Sequence, residues 1–222
     1  MHVSDGAGDV SALIATPRDA WAAFVFAHGA GANMHHKFLE ETSAVLFDAG
    51  VATFRYNFPY MEGRRQGRPD SPARLELTVE AAVREAKAEF GELPLFAGGK
   101  SLGGRMTSQA ASRSELPGVR GLIFLGFPLH PHKSPSTARA AHLDRVNLPM
   151  LFVQGTRDNL ADITLMRAMC SSLGSRATLH IIDHGDHSLA VLKHAGRTAV
   201  DVMKELCDAI TTWMRRVLEG AK

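Results

Sequence analysis

Three polar side chains stand where nucleophilic chemistry would need them. Ser101 lies in Gly98-Gly-Lys-Ser101-Leu-Gly-Gly104, which contains the pattern Gly99-Lys100-Ser101-Leu102-Gly103. A serine hydroxyl is a poor nucleophile until a base takes its proton and an acid orients that base. Asp158, in Gln154-Gly-Thr-Arg-Asp158, and His187, in Asp183-His-Gly-Asp-His187, follow Ser101 in the order serine, acid, histidine. A short apolar run, Leu95–Ala97, leads into Ser101, and a helical pattern with Leu102, Met106 and Ala110 on one face leads out. That strand–turn–helix setting would lift the serine oxygen on a strained turn, with glycines two residues either side where strand and helix approach too closely for side chains.

Each assignment has a rival. Ser101 could be an N-cap in a glycine-rich turn that does no chemistry, and Asp158 could cap a helix beginning near Leu160. Asp162 is the competing acid, about one helical turn into the element and so worse placed to reach a loop histidine. His184 competes with His187. The cluster His184, Asp186, His187 could also suggest a metal site, but no second cluster with ligand-like spacing completes it, and no metal or other cofactor is expected. Two phosphate-loop readings fail on spacing: a P-loop needs glycine where Pro94 stands, and a dinucleotide fingerprint from Gly29 and Gly31 meets Met34 at its third glycine.

An acyl-transfer site also needs backbone N–H groups for the oxyanion. The residue after the nucleophile, Leu102, supplies one at a helix N-terminus. The run Ala22–Ala27 is followed by His28-Gly-Ala-Gly-Ala-Asn33, and Ala30 is the expected second donor, with Gly29 next. His28 precedes the serine in the chain and reads as a residue that holds this loop.

The elements that must carry these groups alternate. Apolar runs at Val10–Ile14, Ala22–Ala27, Val51–Tyr56, Leu93–Ala97, Val119–Leu125, Met150–Gln154 and Ala177–Ile182 read as strands. Helical periods intervene, at Val79, Ala82, Val83, Ala86 and Phe90, at Ile163, Met166, Met169, Cys170 and Leu173, and at Ala199, Met203, Leu206, Ile210, Met214 and Val217. Asp158 and His187 then fall just past the sixth and seventh runs, at the strand ends where open parallel sheets place their sites. The expected fold class is α/β: a mostly parallel sheet of about seven strands with helices on both faces, one domain over residues 1–222. The loops 57–73 and 126–136 are long enough to be functional but too small for a cap domain.

With 25 basic and 23 acidic residues, a formal charge of +2 gives no polyanion signal, so no nucleic-acid partner is expected. The densest basic stretch, Arg64-Arg65-Gln66-Gly67-Arg68, reads as a solvated loop face, with attraction of an anionic substrate as the alternative. Cys170 and Cys207 fall on helical patterns and read as buried fillers in a reducing compartment. No apolar run approaches the roughly 20 residues of a membrane span, and the N-terminus has no signal-like pattern. A cytoplasmic location is expected, with no membrane partner; nothing in the sequence reports the oligomeric state.

The segments His28-Gly-Ala-Gly-Ala-Asn-Met-His-His36, Arg55-Tyr-Asn-Phe-Pro-Tyr-Met61, Gly98-Gly-Lys-Ser-Leu-Gly-Gly-Arg105, Leu125-Gly-Phe-Pro-Leu-His-Pro131 and Gly185-Asp-His187 resemble the KANL3/Tex30 family, a dienelactone-hydrolase-like branch of the α/β hydrolases. The resemblance runs from about Ala23 to the C-terminal helix. It implies the α/β-hydrolase fold and the triad Ser101, Asp158 and His187, but no substrate. Dienelactone hydrolase itself uses a cysteine nucleophile, so its activity is not implied. The resemblance also marks Arg55, Asn57 and His130 on two loops bordering the site, either binding substrate or bracing those loops. Lys100 either attracts an anionic substrate or pairs with a buried carboxylate beneath the turn. The expected activity is hydrolysis of an ester, thioester or similar bond of a small-molecule acyl substrate. A non-catalytic interaction protein that keeps the fold is the alternative.

Overall fold

The computed structural model describes residues 1–62, 68–192 and 195–220. Arg64, Arg65, Gln66 and Gly67 of the basic stretch lie outside the described residues, and Arg68 is exposed. A small antiparallel hairpin, β1 (His2–Ser4) and β2 (Gly8–Asp9), precedes the main sheet. The sheet is built from β3 (Ala12–Ala15), β4 (Ala22–Ala27), β5 (Val51–Tyr56), β6 (Leu95–Lys100), β7 (Val119–Leu125), β8 (Met150–Gly155) and β9 (Ala177–Ile182). Its order is β3-β5-β4-β6-β7-β8-β9. Only the β3–β5 pair is antiparallel.

Helices cover both faces, which is why the central strands read as unbroken apolar runs. On β4, Ala23, Val25 and Ala27 point into one layer and Ala22, Phe24 and Phe26 into the other. The first layer is roofed by α2 (Pro72–Phe90), α3 (Leu102–Arg113) and α4 (Ile163–Ser172); the second by α1 (Lys37–Asp48) and α5 (Ala199–Gly220). Cys170 and Cys207 sit buried in opposite layers, both free, and burial raises their thiols to about 11 and about 12. No described helix is long and apolar enough to cross a membrane.

The chain leaves β4 through α1 to β5 on one side and returns through α2 to β6 on the other. The strand order therefore reverses between β4 and β6, and the crevice past their carboxyl ends is the place where such sheets bind ligands. There β4 runs into His28 and β6 into Ser101, with Ala27 and Gly99 paired in register.

Three expectations need correcting. Helix α1 was not foreseen: its buried face is Leu39, Thr42, Ser43 and Leu46, so two polar residues interrupt the apolar stripe in mid-helix. The first run splits, Val10 packing with Val3, Ala7 and Ala81 beneath the hairpin while the strand proper begins at Ala12. The fourth strand runs on through Gly98 and Gly99 to Lys100, because those glycines stay in the sheet at a close backbone approach.

Candidate active site

Ser101 follows β6 directly, with a positive φ of 50° and ψ −112°, and makes no side-chain cap hydrogen bond to α3. Its hydroxyl is not occupied as an N-cap. Holding a non-glycine residue there costs on the order of 1–3 kcal/mol, and the surroundings enforce it. Ser101 N–H donates to the Leu125 carbonyl at 3.1 Å. A side chain on Gly99 would collide with the Ala27 carbonyl, and one on Gly103 would lie 2.6 Å from the carbonyls of both Ala27 and His28.

Ser101 Oγ lies 2.9 Å from His187 Nε2, and His187 Nδ1 lies 2.8 Å from Asp158 Oδ2. The Asp158 side chain is fully buried and that of His187 is 25% exposed. Asp158 Oδ1 accepts from Leu160 N–H at 2.8 Å, and Oδ2 also accepts from the side-chain amide of Gln154. With three donors on its two oxygens, the carboxylate is fixed in orientation. His187 Nδ1–H then donates to Asp158, and the lone pair on Nε2 faces the serine O–H. Asp162 lies elsewhere. It is the N-cap of α4, not a residue inside it, and its Oδ1 accepts from Thr164 and Leu165 N–H.

The loops carrying acid and histidine are laced together: Arg157 N–H donates to the Gly185 carbonyl at 2.8 Å and Thr156 N–H to that of Ile182 at 3.2 Å. Asp186 shapes the turn after His187, its Oδ1 accepting from Ser188 and Ala190 N–H. His184 is half-exposed and lies 3.6 Å from Asp183. Among the described residues no group of three or more His, Cys, Asp or Glu side chains is placed to hold a metal ion.

On the far side of Ser101 the loop after β4 packs against the turn, a side chain on Gly29 meeting Ser101 Cβ at 3.6 Å. Ala30 is exposed there, and among the described residues its N–H has no acceptor. Leu102 opens α3, where the first N–H groups have no intrahelical partner. Arg55 and Asn57 grip this loop at Met34: Arg55 Nη1 donates to the Met34 carbonyl at 2.9 Å, and Asn57 Oδ1 accepts from Met34 N–H at 2.8 Å. His130 is similarly engaged, its Nε2 accepting from Asp162 N–H at 2.8 Å and its Nδ1 lying 2.8 Å from the Pro131 carbonyl.

Two features were beyond the sequence. Gln154, the amide that orients Asp158, stands at the end of an apolar run; a glutamine in a strand buried throughout is the signal that the sequence offers. The amine of Lys100 pairs with no carboxylate among the described residues: Nζ donates to the backbone carbonyl of His187.

A second serine–histidine pair, Ser108 and His142, is 2.7 Å apart. Ser108 donates its hydroxyl hydrogen to the Arg105 carbonyl at 2.8 Å, so it accepts from His142 and is not activated by it. Burial and the charges of Arg105, Arg145 and Arg113 push His142 down to about 4. Among the described residues the one hydrogen-bond partner of the His142 ring is Ser108, not a carboxylate.

Residues 20–215 match the family model described as "Alpha/beta hydrolase domain". The chain belongs to that family. Its fold is similar to that of a dienelactone hydrolase from Anabaena variabilis, at 18% identity, covering 97% of this chain and 95% of that one with a TM-score of 0.75. Est1E from Butyrivibrio proteoclasticus, solved with ferulic acid bound, matches at 17% identity over 99% of both chains with a TM-score of 0.72. An α/β serine hydrolase without lid from Xanthomonas campestris matches at 20% identity over 93% and 90%, with a TM-score of 0.71.

In this α/β hydrolase, His28 is a structural residue of the loop after β4. Its Nε2 accepts from Phe58 N–H at 3.0 Å and its Nδ1 lies 2.8 Å from the Gly29 carbonyl, an arrangement that suits only the neutral ring. Burial pushes it down to about 4 from an ordinary 6.5. The folded state thus binds fewer protons than the unfolded one between those values, and stability present above pH 6.5 is lost as pH falls toward 4. The loss attributable to His28 is at most roughly 3 kcal/mol. Urea midpoints measured from pH 7 to pH 4 should fall less steeply for His28→Gln than for wild type; equal slopes would exclude this origin.

Proposed function

We propose that this α/β hydrolase is a serine hydrolase cleaving an ester, thioester or similar acyl bond of a small molecule through an acyl-enzyme intermediate. One observation carries the reading: Asp158, His187 and Ser101 form an unbroken relay of hydrogen bonds at 2.8 and 2.9 Å, from the ends of three strands. His187 Nε2 takes the Ser101 proton as Oγ attacks the substrate carbonyl, and Asp158 stabilises the resulting imidazolium. The N–H groups of Ala30 and Leu102 receive the oxyanion. His187 then returns the proton to the leaving group, and a water activated by the same nitrogen releases the acid. Arg55, Asn57 and His130 act as braces, since Arg55 Nη1, Asn57 Oδ1 and both ring nitrogens of His130 are engaged with the backbone of Met34, Pro131 and Asp162. No cofactor is needed, and residues 1–222 serve as one catalytic domain. Within the family, the motifs around His28, Ser101 and His187 favour the KANL3/Tex30 branch.

A fluorophosphonate probe followed by intact-protein mass tests this directly. Wild type should gain one adduct and Ser101→Ala none, and only wild type should hydrolyse a panel of short-chain esters, thioesters and lactones. A folded wild type that takes no label would favour the non-catalytic interaction protein instead.

A further inference from the structure

Lys100 sits between the last glycine of β6 and the nucleophile, and its ammonium is directed to the loop that carries His187. Nζ donates to the His187 carbonyl. The slot it occupies exists because residue 126 is glycine: a side chain there would lie 2.7 Å from Nζ and 2.9 Å from the same carbonyl. The amine thereby joins the ends of β6 and β7 to the loop after β9. Opposite charge comes from Asp158 in the loop past β8 and Asp186 beside His187, while Phe38 of α1 contributes an uncharged ring 5.9 Å away. Burying an ammonium is costly, and an apolar side chain of the same length would fill this slot without that cost.

We infer that Lys100 is a positioning residue: its ammonium tethers the backbone of His187 and so sets the distance between the imidazole and Ser101 Oγ. The inference rests on the hydrolase reading above. His187 lies on a loop between two residues in left-handed conformation, His184 at φ 58° and Leu189 at φ 63°, so its backbone depends on such ties. Charge-assisted hydrogen bonds are about twice as strong as neutral ones. A misplacement of about 1 Å at a reacting pair costs on the order of 100-fold in rate. Burial lowers the amine to about 8, against the pull of Asp158 and Asp186, so the tether weakens within an accessible pH range.

The test compares wild type, Lys100→Met and Lys100→Gln. Lys100→Met should lower kcat about 10- to 100-fold with KM within about twofold. The wild-type kcat profile should decline with a midpoint near 8, and that step should vanish in Lys100→Met. Amide exchange across residues 187–190, which requires no turnover, should quicken in Lys100→Met. Lys100→Gln retains a donor without charge and should show intermediate kcat and no step near 8; it also decides the matter if Lys100→Met does not fold. Unchanged kcat and unchanged exchange in a folded variant overturn the tether. Absence of Ser101-dependent labelling in wild type overturns the hydrolase reading separately, with exchange still reporting on Lys100.

Discussion

Asp158→Asn is expected to lower kcat on the order of 10⁴-fold while the protein stays folded. The substitution is isosteric, yet every hydrogen bond at the site opposes it. Oδ2 accepts from His187 Nδ1 and the Gln154 amide, and Oδ1 accepts from Leu160 N–H. An asparagine must place its NH2 at one of these positions, against a donor. Leu160 N–H belongs to the backbone and cannot reverse, so the carbonyl oxygen stays there and the NH2 turns to His187. The imidazole relieves that clash by moving its proton to Nε2, which then faces Ser101 as a donor and can no longer take the serine proton. The uncharged amide also fails to stabilise imidazolium. Steady-state rates on an ester hydrolysed by wild type, with circular dichroism to verify folding, check this. A loss below 10-fold would mean that Asp158 does not orient the base.

The lines of the fold that could be read from sequence are those where one physical effect dominates. β4, β5, β7 and β9 have the bounds their apolar runs predicted, because each run is dominated by apolar residues and is set off by glycine or polar neighbours. α1 failed that test because Thr42 and Ser43 occupy its buried face, Thr42 satisfying its hydroxyl on the Phe38 carbonyl. The site follows the same division. Chain order and strand-end position were sufficient to nominate Ser101, Asp158 and His187, which are properties of the local segment. What holds them was not legible: Gln154 on Asp158, Lys100 on His187 and Asn57 on Met34 join residues that fold together only through the sheet. The misplacement of Asp162 has a related cause. The periodicity of α4 extends backward into its cap, and only the side-chain bonds to Thr164 and Leu165 mark where the helix starts.

Gly103→Ala should destabilise the protein by about 3–5 kcal/mol, although in an exposed helix the same change would stabilise it by about 1 kcal/mol. The sign is decided by what stands opposite. An added methyl at 103 falls 2.6 Å from the carbonyl oxygens of Ala27 and His28 and 2.7 Å from Ala27 Cβ, all on or just past β4. These are mainly backbone atoms of a strand paired on both sides, to β5 and β6, so no rotamer change relieves the overlap. The remaining relief is for α3 to move off β4. That carries Ser101 away from His187 and Leu102 N–H away from Ala30, so the surviving folded protein should also lose activity. Gly220→Ala, at the end of α5 with nothing within 4 Å of the added atom, provides the contrast and should be neutral or slightly stabilising. Urea denaturation of both variants separates the two effects. A Gly103→Ala cost below about 1 kcal/mol would show that the turn tolerates a wider gap between strand and helix than the positive φ of Ser101 implies.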